Sequence, residues 1–475
     1  MPTAPAAGMG TPVALRRSMA NSLWLSEPTW AGQPTTSGAR HAAKVARIVA
    51  DLRSCDGQRP LSIKKRGVAH QVPKAHDLRR RDQTIDVTDL DEILAIDVEQ
   101  RVAVAESGVT FAELVKETLK HGLLPIVVPE LKTITLGGAV AGCSIESTSF
   151  INGGFHDTCL EYEVITSDGE VLACRPDNEH ALVFQMEHGA FGTLGILSKL
   201  TFRLMPAKPY VHVRYEKYRT LPEYLAAIWR HFQARDIDFM DGIIHAPDLY
   251  VLSLGQLVDE APYTTRYDWM RIYYQSSRTR SDDYLHTEHY VFRYDRGVTN
   301  VRPKSLLGRA LFGKLLASTQ WLWLASKLPF LLRSKRPTIT LDMFVPFSKA
   351  QEFMRFYQDK LGHFPVWCVP YRRVHDYEWL SRSFWSTLGD EQLFLDLAVY
   401  GMRQHGPVNH HRLVEQELAR IGGLKTLISH NYYSPAEFWL TWNRKSYERA
   451  KALTDPKRLF RDLYAVTCRA AMGID

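Results

Sequence analysis

The sequence contains few cysteines and no long apolar run. Its six cysteines are scattered through 475 residues, and no two of them form a CxxC pair. A disulfide framework and a structural zinc site are therefore not expected, no metal ligand is assigned, and a reducing, cytoplasmic setting fits the cysteine content. Because no stretch of about 18 consecutive apolar residues occurs, we expect no membrane-spanning helix.

Charge of one sign does not dominate the sequence either. The chain has 59 basic and 52 acidic residues, which gives a net charge of +7 at pH 7. Such a mild excess suits ligands that carry phosphate, or an anionic membrane face. No RNA-binding motif, zinc finger or basic zipper helix is present, so a nucleic-acid partner is not expected. The chain is 45% hydrophobic and 23% charged, which excludes a disordered or collagen-like protein.

The first two hundred residues alternate short strands with a few helices. Residues 41–54 place apolar side chains on one stripe and predict an amphipathic helix. Thr110 and Glu113 form the capping box of a second helix, which Gly122 ends. Asp168-Gly169 predicts a hairpin turn. Because the order of strands and helices is irregular and does not match a doubly wound sheet, we predict an α+β fold. Strands are predicted at 61–63, 84–87, 93–97, 102–106, 160–167, 170–175 and 196–205.

Composition divides the chain into four parts. Residues 1–39 are rich in Ala, Pro, Gly, Ser and Thr and predict a flexible lead. The composition changes after residues 40–206, because Tyr and Trp become more frequent and no further glycine-rich loops occur. We therefore predict a second domain at 207–428 and a C-terminal segment at 429–475 that packs back on the first domain.

Three stretches rich in glycine lie close together in the first domain, at 137–142, 153–154 and 189–195. None matches the dinucleotide fingerprint G-x-G-x-x-G or a Walker loop. Glycine lets the backbone approach phosphate without an intervening Cβ. One such stretch could equally be a tightly packed turn. Several in one domain favour a long diphosphate cofactor, which is a flavin or a dinucleotide.

Four segments of the first domain carry a resemblance to a known family. They read PELKTITLGGAVAGCSIESTS (129–149), GGFHD (153–157), EYEVITSDGEVLACRP (161–176) and GTLGILSKLTFRLMPAKPYV (192–211). They resemble the FAD-binding domain of the vanillyl-alcohol oxidase and p-cresol methylhydroxylase superfamily, and within it the 24-dehydrocholesterol reductase (delta-24-sterol reductase) family. FPVWCVPYR (364–372) and YSPAEFW (433–439) resemble later parts of that family. The resemblance implies a two-domain α+β flavoprotein in which 40–206 binds FAD and 207–428 is an inserted substrate (cap) domain.

The resemblance also implies which residues bind FAD, and that NADPH is the electron donor. Some superfamily members attach the flavin covalently to a histidine that follows a glycine. Here Ala69 precedes His70, so we predict non-covalent binding. The residues expected to bind FAD are Arg66, Gly67 and His70 in the first loop; Thr135, Gly137, Gly138 and Gly142 at the pyrophosphate; Ile145, Glu146, Ser147 and Ser149 toward the isoalloxazine; and Gly192, Thr193, Gly195 and Ile196 near the adenosine or ribityl part.

The cap domain is expected to supply the remaining chemistry. Reducing an isolated carbon–carbon double bond requires a hydride, which reduced flavin supplies, and a proton donor from the protein. Two sets of aromatic and basic residues provide candidate catalytic groups, although such residues are usually core or surface structure. The candidates are His289, Tyr290 and Arg293 in one set and Tyr371 and His375 in the other.

Residues 305–336 combine Leu, Phe and Trp with six basic side chains. This composition is typical of an amphipathic helix that lies in a membrane interface, and it equally fits a buried helix pair of the cap domain. The first interpretation predicts peripheral contact with the cytoplasmic face of a membrane.

Taken together, the sequence predicts an FAD-dependent oxidoreductase that reduces an isolated double bond in a sterol-like or isoprenoid lipid. Two alternatives stay open, because a fold does not fix a function. One is an FAD-linked oxidase or dehydrogenase of an alcohol, sugar or hydroxy acid. The other is a non-catalytic, membrane-associated flavoprotein.

Overall fold

The computed structural model describes residues 36–67, 74, 76–268, 271–295, 339–404 and 406–474. The strands of these residues form three sheets, and helices accompany each of the two larger ones. The α+β fold predicted from the sequence is confirmed.

The strands that precede residue 207 form one large antiparallel sheet and a separate parallel pair. They are β1 (Leu61–Lys64), β2 (Gln83–Asp86), β3 (Ile93–Asp97), β4 (Val102–Glu106), β5 (Leu123–Pro125), β6 (Cys159–Ile165), β7 (Val171–Cys174) and β8 (Ile196–Pro206). The large sheet has the order β3-β4-β8-β6-β7, and β5 pairs with β8 outside that order. β1 and β2 form the parallel pair. Their buried Leu61 and Ile85 belong to one apolar cluster with Ile165 and Ile196 of the large sheet.

Among the described residues, five α-helices belong to this part of the chain, which we call the first unit. They are α1 (Thr36–Arg53), α2 (Phe111–Thr118), α3 (Leu136–Ala141), α4 (Ser149–Asn152) and α5 (Ala181–Met186). The predicted capping box of α2 is present, and Gly122 takes the left-handed conformation that ends the short turn after it. The glycine-rich segment at 136–141 is helical, which the glycine pattern did not predict. The Thr135 hydroxyl caps α3 and three of its side chains are buried, and these contributions offset the low helix propensity of glycine.

The strands after residue 209 form an eight-stranded antiparallel sheet, which with its helices we call the second unit. The strands are β9 (Tyr210–Tyr218), β10 (Phe239–Ala246), β11 (Leu249–Val258), β12 (Asp282–His286), β13 (Ile339–Pro346), β14 (Val366–Arg372), β15 (Leu393–Met402) and β16 (Leu424–Lys425). Their order is β12-β9-β11-β10-β14-β15-β13-β16.

The remaining helices follow or interrupt these strands. They are α6 (Leu221–Ala234), α7 (Tyr273–Ser276), α8 (Thr287–Val291), α9 (Ala350–Lys360), α10 (Arg382–Leu388), α11 (His410–Ile421), α12 (Pro435–Thr441) and α13 (Arg444–Thr454). None of the helices within the described ranges is long and apolar enough to cross a membrane. Residues 305–336 lie outside those ranges.

The two faces of the second sheet bury against different partners. Along β14, Val366 and Cys368 belong to the cluster formed with α6, α9 and α11. Trp367 and Val369 belong to a cluster that also contains Phe202 of β8 in the first unit. Side chains alternate across a strand, so the odd-numbered residues of β14 face the first unit. The two units therefore share one apolar core, and their division into separate domains stays a prediction.

The C-terminal helix α13 contacts the first unit directly. The Tyr447 hydroxyl donates to Thr193 Oγ1 at 2.9 Å, and Lys451 Nζ donates to the Thr193 carbonyl at 2.9 Å. Lys451 also pairs with Asp455 at 2.7 Å and is largely buried. These contacts hold the segment around residue 193 against the end of the chain.

A buried ionic cluster joins the two units. The Arg293 guanidinium lies 3.0 Å from Asp241 of β10 and 3.2 Å from Glu146 of the first unit, and its side chain is fully buried. Trp367 Nε1 also donates to Asp241, at 2.9 Å. The guanidinium packs over the Tyr290 ring at 4.1 Å. Arg293 and Tyr290 therefore connect the units.

We predict that Arg293→Met lowers the free energy of unfolding by about 3–5 kcal/mol, because both carboxylates stay buried without their counter-charge. The pKa of Glu146 is raised from 4.5 to about 7 by burial, and Arg293 opposes that rise. A raised folded-state pKa stabilises the fold at acid pH and loses that contribution as the pH rises through it. The deficit of the variant should therefore be larger at pH 8 than at pH 6.

The comparison uses urea unfolding followed by tryptophan fluorescence. Arg444→Met serves as the control, because Arg444 forms an exposed pair with Glu448 that contributes little. Equal, small losses in both variants would contradict a joining role for Arg293.

Candidate functional site

The glycines at the start of α3 lie against their neighbours, and their amides are already bonded. The Gly137 N–H donates to the Ser107 carbonyl at 2.8 Å, and the Gly138 N–H donates to Thr135 Oγ1 at 3.3 Å. A Cβ at Gly137 would lie 2.9 Å from the Ser107 Cβ, so this glycine is required for packing. A Cβ at Gly138 would lie 3.0 Å from Lys65 Nζ. Gly138 therefore faces a cation.

Lys65 is the middle residue of three consecutive basic side chains. Lys64 pairs with Asp86 at 2.6 Å, and Arg66 pairs with Glu113 at 2.8 Å. Within the described part of the chain, the Lys65 amine has no carboxylate partner, and burial alone lowers its pKa to about 8. A partly desolvated cation without a counter-charge favours an anionic ligand such as a diphosphate.

Three of the predicted cofactor segments meet around the end of β1. A Cβ at Gly67 would lie 2.5 Å from the Thr133 carbonyl oxygen and 2.8 Å from Thr135 Cγ2. A Cβ at Gly192 would lie 3.1 Å from Ile63 of β1. The first loop, the start of α3 and the segment after residue 191 are thus neighbours. His70 lies outside the described residues.

The other end of α3 opens on a cavity between the two units. Gly142 follows Gly138 by four positions, which spans about 6 Å at a helical rise of about 1.5 Å per residue. The Gly189 N–H donates to the Val140 carbonyl at 3.2 Å, which holds a second loop beside this end. The first unit contributes Gly142, Cys143, Ile145, His156, Gly189 and Phe191 to the wall.

The opposite wall comes from the second unit and is largely aromatic. Together the two walls surround about 780 Å³ of space, a volume that includes the part open to solvent. The second unit contributes Phe344, Tyr371, Arg373, Tyr377, Trp379, Leu380, Phe384, Trp385, Phe394, Leu424, Lys425, Thr426, Leu427 and Trp442. Such a wall suits flat rings and an apolar chain rather than a sugar or a charged acid.

The two basic side chains of this wall are already engaged. Arg373 bonds with Asp376, and its guanidinium stacks on Trp385 at 4.2 Å. Lys425 pairs with Glu415 and also donates to the His430 carbonyl at 2.6 Å. Neither cation is therefore available to bind a substrate carboxylate without first losing a partner.

Two of the five predicted catalytic residues lie at this cavity or beside it. Tyr371 lines it, and Tyr377 joins Tyr371 to the buried Asp157. His375 Nδ1 lies 3.9 Å from Asp157 Oδ1, and its side chain is 40% exposed. The position of Tyr371 follows from the sheet, since it is an odd-numbered residue of β14 and faces the first unit.

The other three predicted catalytic residues do not line the cavity, and for these three the structure corrects the expected location. Arg293 and Tyr290 are occupied in the buried cluster that joins the units. His289 lies half-buried beside His286, with ring centroids 5.7 Å apart. Proximity in sequence to other aromatic residues was the only basis for predicting them. Their contacts with residues far away in the chain were not visible from spacing.

Several predicted FAD residues also have other neighbours. The Glu146 carboxylate turns toward Arg293, the Ser147 carbonyl accepts from the Met240 N–H at 2.7 Å, and Ser149 Oγ accepts from the Glu146 N–H. None of these three lines the cavity, whereas the preceding Ile145 does. Glu146 and Ser147 therefore hold the loop after α3 against β10 and Arg293.

Sequence reasoning missed Lys65, Asp157, Tyr377 and the tryptophans at 379 and 385. Lys65 was one of three equivalent-looking cations. Asp157 lies in the quoted GGFHD segment, whose glycines were interpreted as a possible phosphate loop. In the structure Gly153 is required for another reason. It has φ 75°, and a Cβ there would collide with Asp157 Oδ2.

Comparisons with known proteins agree with this arrangement. A family model described as "FAD binding domain" matches residues 39–175. Delta(24)-sterol reductase of Homo sapiens is 24% identical over 401 residues, which cover 80% of this chain and 77% of that protein. The Delta(24)-sterol reductase homologue of Caenorhabditis elegans is 25% identical over 415 residues, with 80% and 78% coverage. The Arabidopsis thaliana Delta(24)-sterol reductase is 22% identical over 465 residues, with 86% and 82% coverage. The similarity therefore extends beyond the FAD-binding domain.

We predict that Lys65→Met weakens FAD binding about tenfold or more, because a charge-assisted contact to the diphosphate contributes about 1.5–3 kcal/mol. Lys64→Met is the matched control, since the neighbouring amine is exposed and paired with Asp86. The affinity is measured by titrating flavin-free protein with FAD and following flavin fluorescence. Equal affinities of the two variants would contradict a role for Lys65 at the cofactor.

The residues present fit both the diphosphate and the ring system of FAD. Lys65, which has no carboxylate partner among the described residues, faces Gly138 at one end of α3, and an aromatic cavity opens at Gly142 at the other end. The matched family model points to the same cofactor. The chain is therefore an FAD-dependent oxidoreductase with an FAD-binding domain of the vanillyl-alcohol oxidase and p-cresol methylhydroxylase type, and it resembles the Delta(24)-sterol reductases.

Proposed function

We propose that this protein reduces an isolated carbon–carbon double bond in the side chain of a sterol-like or isoprenoid lipid. The observation that carries the proposal is the aromatic lining of the cavity at the joint of the two units. Its walls bury apolar surface, which favours a lipid chain by about 25 cal/mol per Å² removed from water. Relatives named Delta(24)-sterol reductase align across both units and support the same reaction class.

The chain's own residues would hold the reactants and exclude water. FAD, when reduced, supplies the hydride. Lys65 would hold the diphosphate, while Gly142 and Ile145 form the part of the wall nearest to α3. The rings of Trp379 and Trp385 would pack on the apolar substrate. The Tyr371 hydroxyl is one of the polar groups of the wall that can offer a proton.

The electron donor and the attachment of the flavin complete the proposal. NADPH is proposed as donor because the resemblance implies it. FAD is proposed to be held non-covalently, because Ala69 replaces the glycine before His70. We place the protein in the cytoplasm, with peripheral membrane contact through 305–336.

An FAD-linked oxidase or dehydrogenase of sugars or hydroxy acids fits the cavity less well. Such substrates need polar groups that bind hydroxyls or carboxylates. Arg373 and Lys425 are paired with Asp376 and Glu415, and the surrounding wall is aromatic. A non-catalytic flavoprotein would show no turnover of any substrate.

Incubation of the purified protein with a lipid extract tests the proposal. In the presence of NADPH, at least one unsaturated lipid should gain two mass units, and none should do so without NADPH. Stopped-flow absorbance should show bleaching of the flavin by NADPH and no bleaching by a panel of alcohols, sugars and hydroxy acids. Flavin bleaching by an alcohol, without mass gain in any lipid, would establish the alternative instead.

A further inference from the structure

Four residues form a line from the protein surface to the cavity. His375 is 40% exposed, and its Nδ1 lies 3.9 Å from Oδ1 of the buried Asp157. The Tyr377 hydroxyl donates to Asp157 Oδ2 at 3.0 Å. The Tyr371 and Tyr377 hydroxyls bond with each other, and Tyr371 lines the cavity. The hydrogen-bonded part of the line therefore runs from Asp157 through Tyr377 and Tyr371 to the space proposed for the substrate. His375 lies at its solvent end, and its 3.9 Å distance from Asp157 is longer than a hydrogen bond.

The donors and acceptors of this line give it a direction. Asp157 Oδ2 accepts from the Gly154 N–H at 2.7 Å as well as from Tyr377. Tyr377 donates its only hydroxyl hydrogen to Asp157, so the Tyr371 hydroxyl must donate to the Tyr377 oxygen. With an ionised Asp157, both hydroxyl hydrogens thus point away from the cavity. A protonated Asp157 donates to Tyr377 instead, which reverses both bonds and turns the Tyr371 hydrogen toward the cavity.

The surroundings keep this line intact. Gly153 provides the space for Asp157, since a Cβ there would overlap the carboxylate. Burial raises the pKa of both Tyr371 and Tyr377 well above the ordinary value, so both hydroxyls keep their protons. The ring of His156 packs against Tyr377 with centroids 5.6 Å apart, and burial lowers its pKa, so it adds no charge beside the line at neutral pH.

We propose that His375, Asp157, Tyr377 and Tyr371 form a proton relay, with Tyr371 as the catalytic proton donor and the other three as positioning and supply residues. The inference rests on the proposed double-bond reduction and deepens it. Tyr371 alone would leave a buried phenolate after donation, which is costly. Replacement of its proton by Tyr377 in the same step avoids that charge.

The balance of the step is complete. The π bond of the alkene breaks, one carbon receives the hydride and its electron pair from reduced FAD, and the other carbon receives the proton of Tyr371. The Tyr371 oxygen takes a proton from Tyr377, Tyr377 takes one from Asp157, and Asp157 regains one from solvent on the side where the part-exposed His375 lies. A reduced nicotinamide donor returns two electrons to the flavin.

The test separates the two half-reactions of the holoenzyme. Wild type, Tyr371→Phe, Tyr377→Phe and the control Tyr224→Phe are reduced anaerobically and mixed with a Delta(24)-unsaturated sterol in detergent micelles. The Tyr224 hydroxyl is buried without a hydrogen-bond partner among the described residues and does not line the cavity. Flavin reoxidation reports the proton-dependent step, and NADPH-driven bleaching and FAD content report cofactor binding.

We expect Tyr371→Phe to slow reoxidation by the sterol about 100-fold or more, the usual contribution of a positioned acid. Tyr377→Phe should slow it by a smaller factor, while bleaching and FAD content stay within about twofold of wild type in both variants. His375→Ala should slow it, and added imidazole should restore the rate, because imidazole replaces the missing proton carrier. Rescue by imidazole is not expected of a residue that only supports the fold.

Two failures of the test are distinguishable. If wild type reduces the sterol and Tyr371→Phe does so at a similar rate, the relay is wrong and the proposed function stands. If wild type is not reoxidised by any unsaturated lipid, the proposed function is wrong and the relay falls with it.

Discussion

The Arg293 guanidinium, enclosed between carboxylates of two separate units, is the interaction on which the site depends. Charged groups of this kind remain in a protein interior only when each has its partner. Asp241 belongs to β10 of the second unit, whereas Glu146 directly follows Ile145 of the cavity wall. The ion pair therefore fixes the loop after α3 against the second sheet. It acts together with the Ser147–Met240 backbone bond and the shared apolar core to position the two walls of the cavity.

Around this joint the molecule separates two kinds of environment. At the start of α3, Lys65 faces Gly138 without a carboxylate partner among the described residues, which suits a diphosphate. At the end of α3, aromatic side chains line a space that suits the flavin ring system and an apolar substrate. Within that wall, a short line of hydroxyls and a carboxylate leads outward to His375. The arrangement gives hydride and proton two different routes to the same space.

Much of the first unit could be predicted from the sequence, because its signals are local. The capping box at Thr110 and the stop at Gly122 each depend on a few neighbouring residues, and the structure shows them. A two-residue hairpin turn was predicted at Asp168-Gly169; the hairpin is present, but Thr166 and Glu170 close a longer loop. The helical state of 136–141 could not be predicted, since its cap and buried contacts outweigh glycine only once the fold exists. FAD binding was identified from several segments together, and the family model agrees.

The catalytic candidates were harder to predict, for a physical reason. Tyr371 and Arg293 both lie in aromatic stretches, and only the tertiary contacts separate a residue at the cavity from one in an ion pair. The links between Tyr371 and His375 run through Asp157, which is more than two hundred positions away in the chain. No local pattern reports such a contact.

The central claim is that FAD lies along α3, with its diphosphate at Lys65 and its ring system in the cavity. A crystal structure of the protein with FAD bound tests this most directly. The account predicts a diphosphate oxygen within hydrogen-bond distance of Lys65 Nζ and the isoalloxazine in contact with Gly142 and the aromatic wall around Tyr371. An isoalloxazine outside this cavity, or a diphosphate that does not contact Lys65, would contradict it.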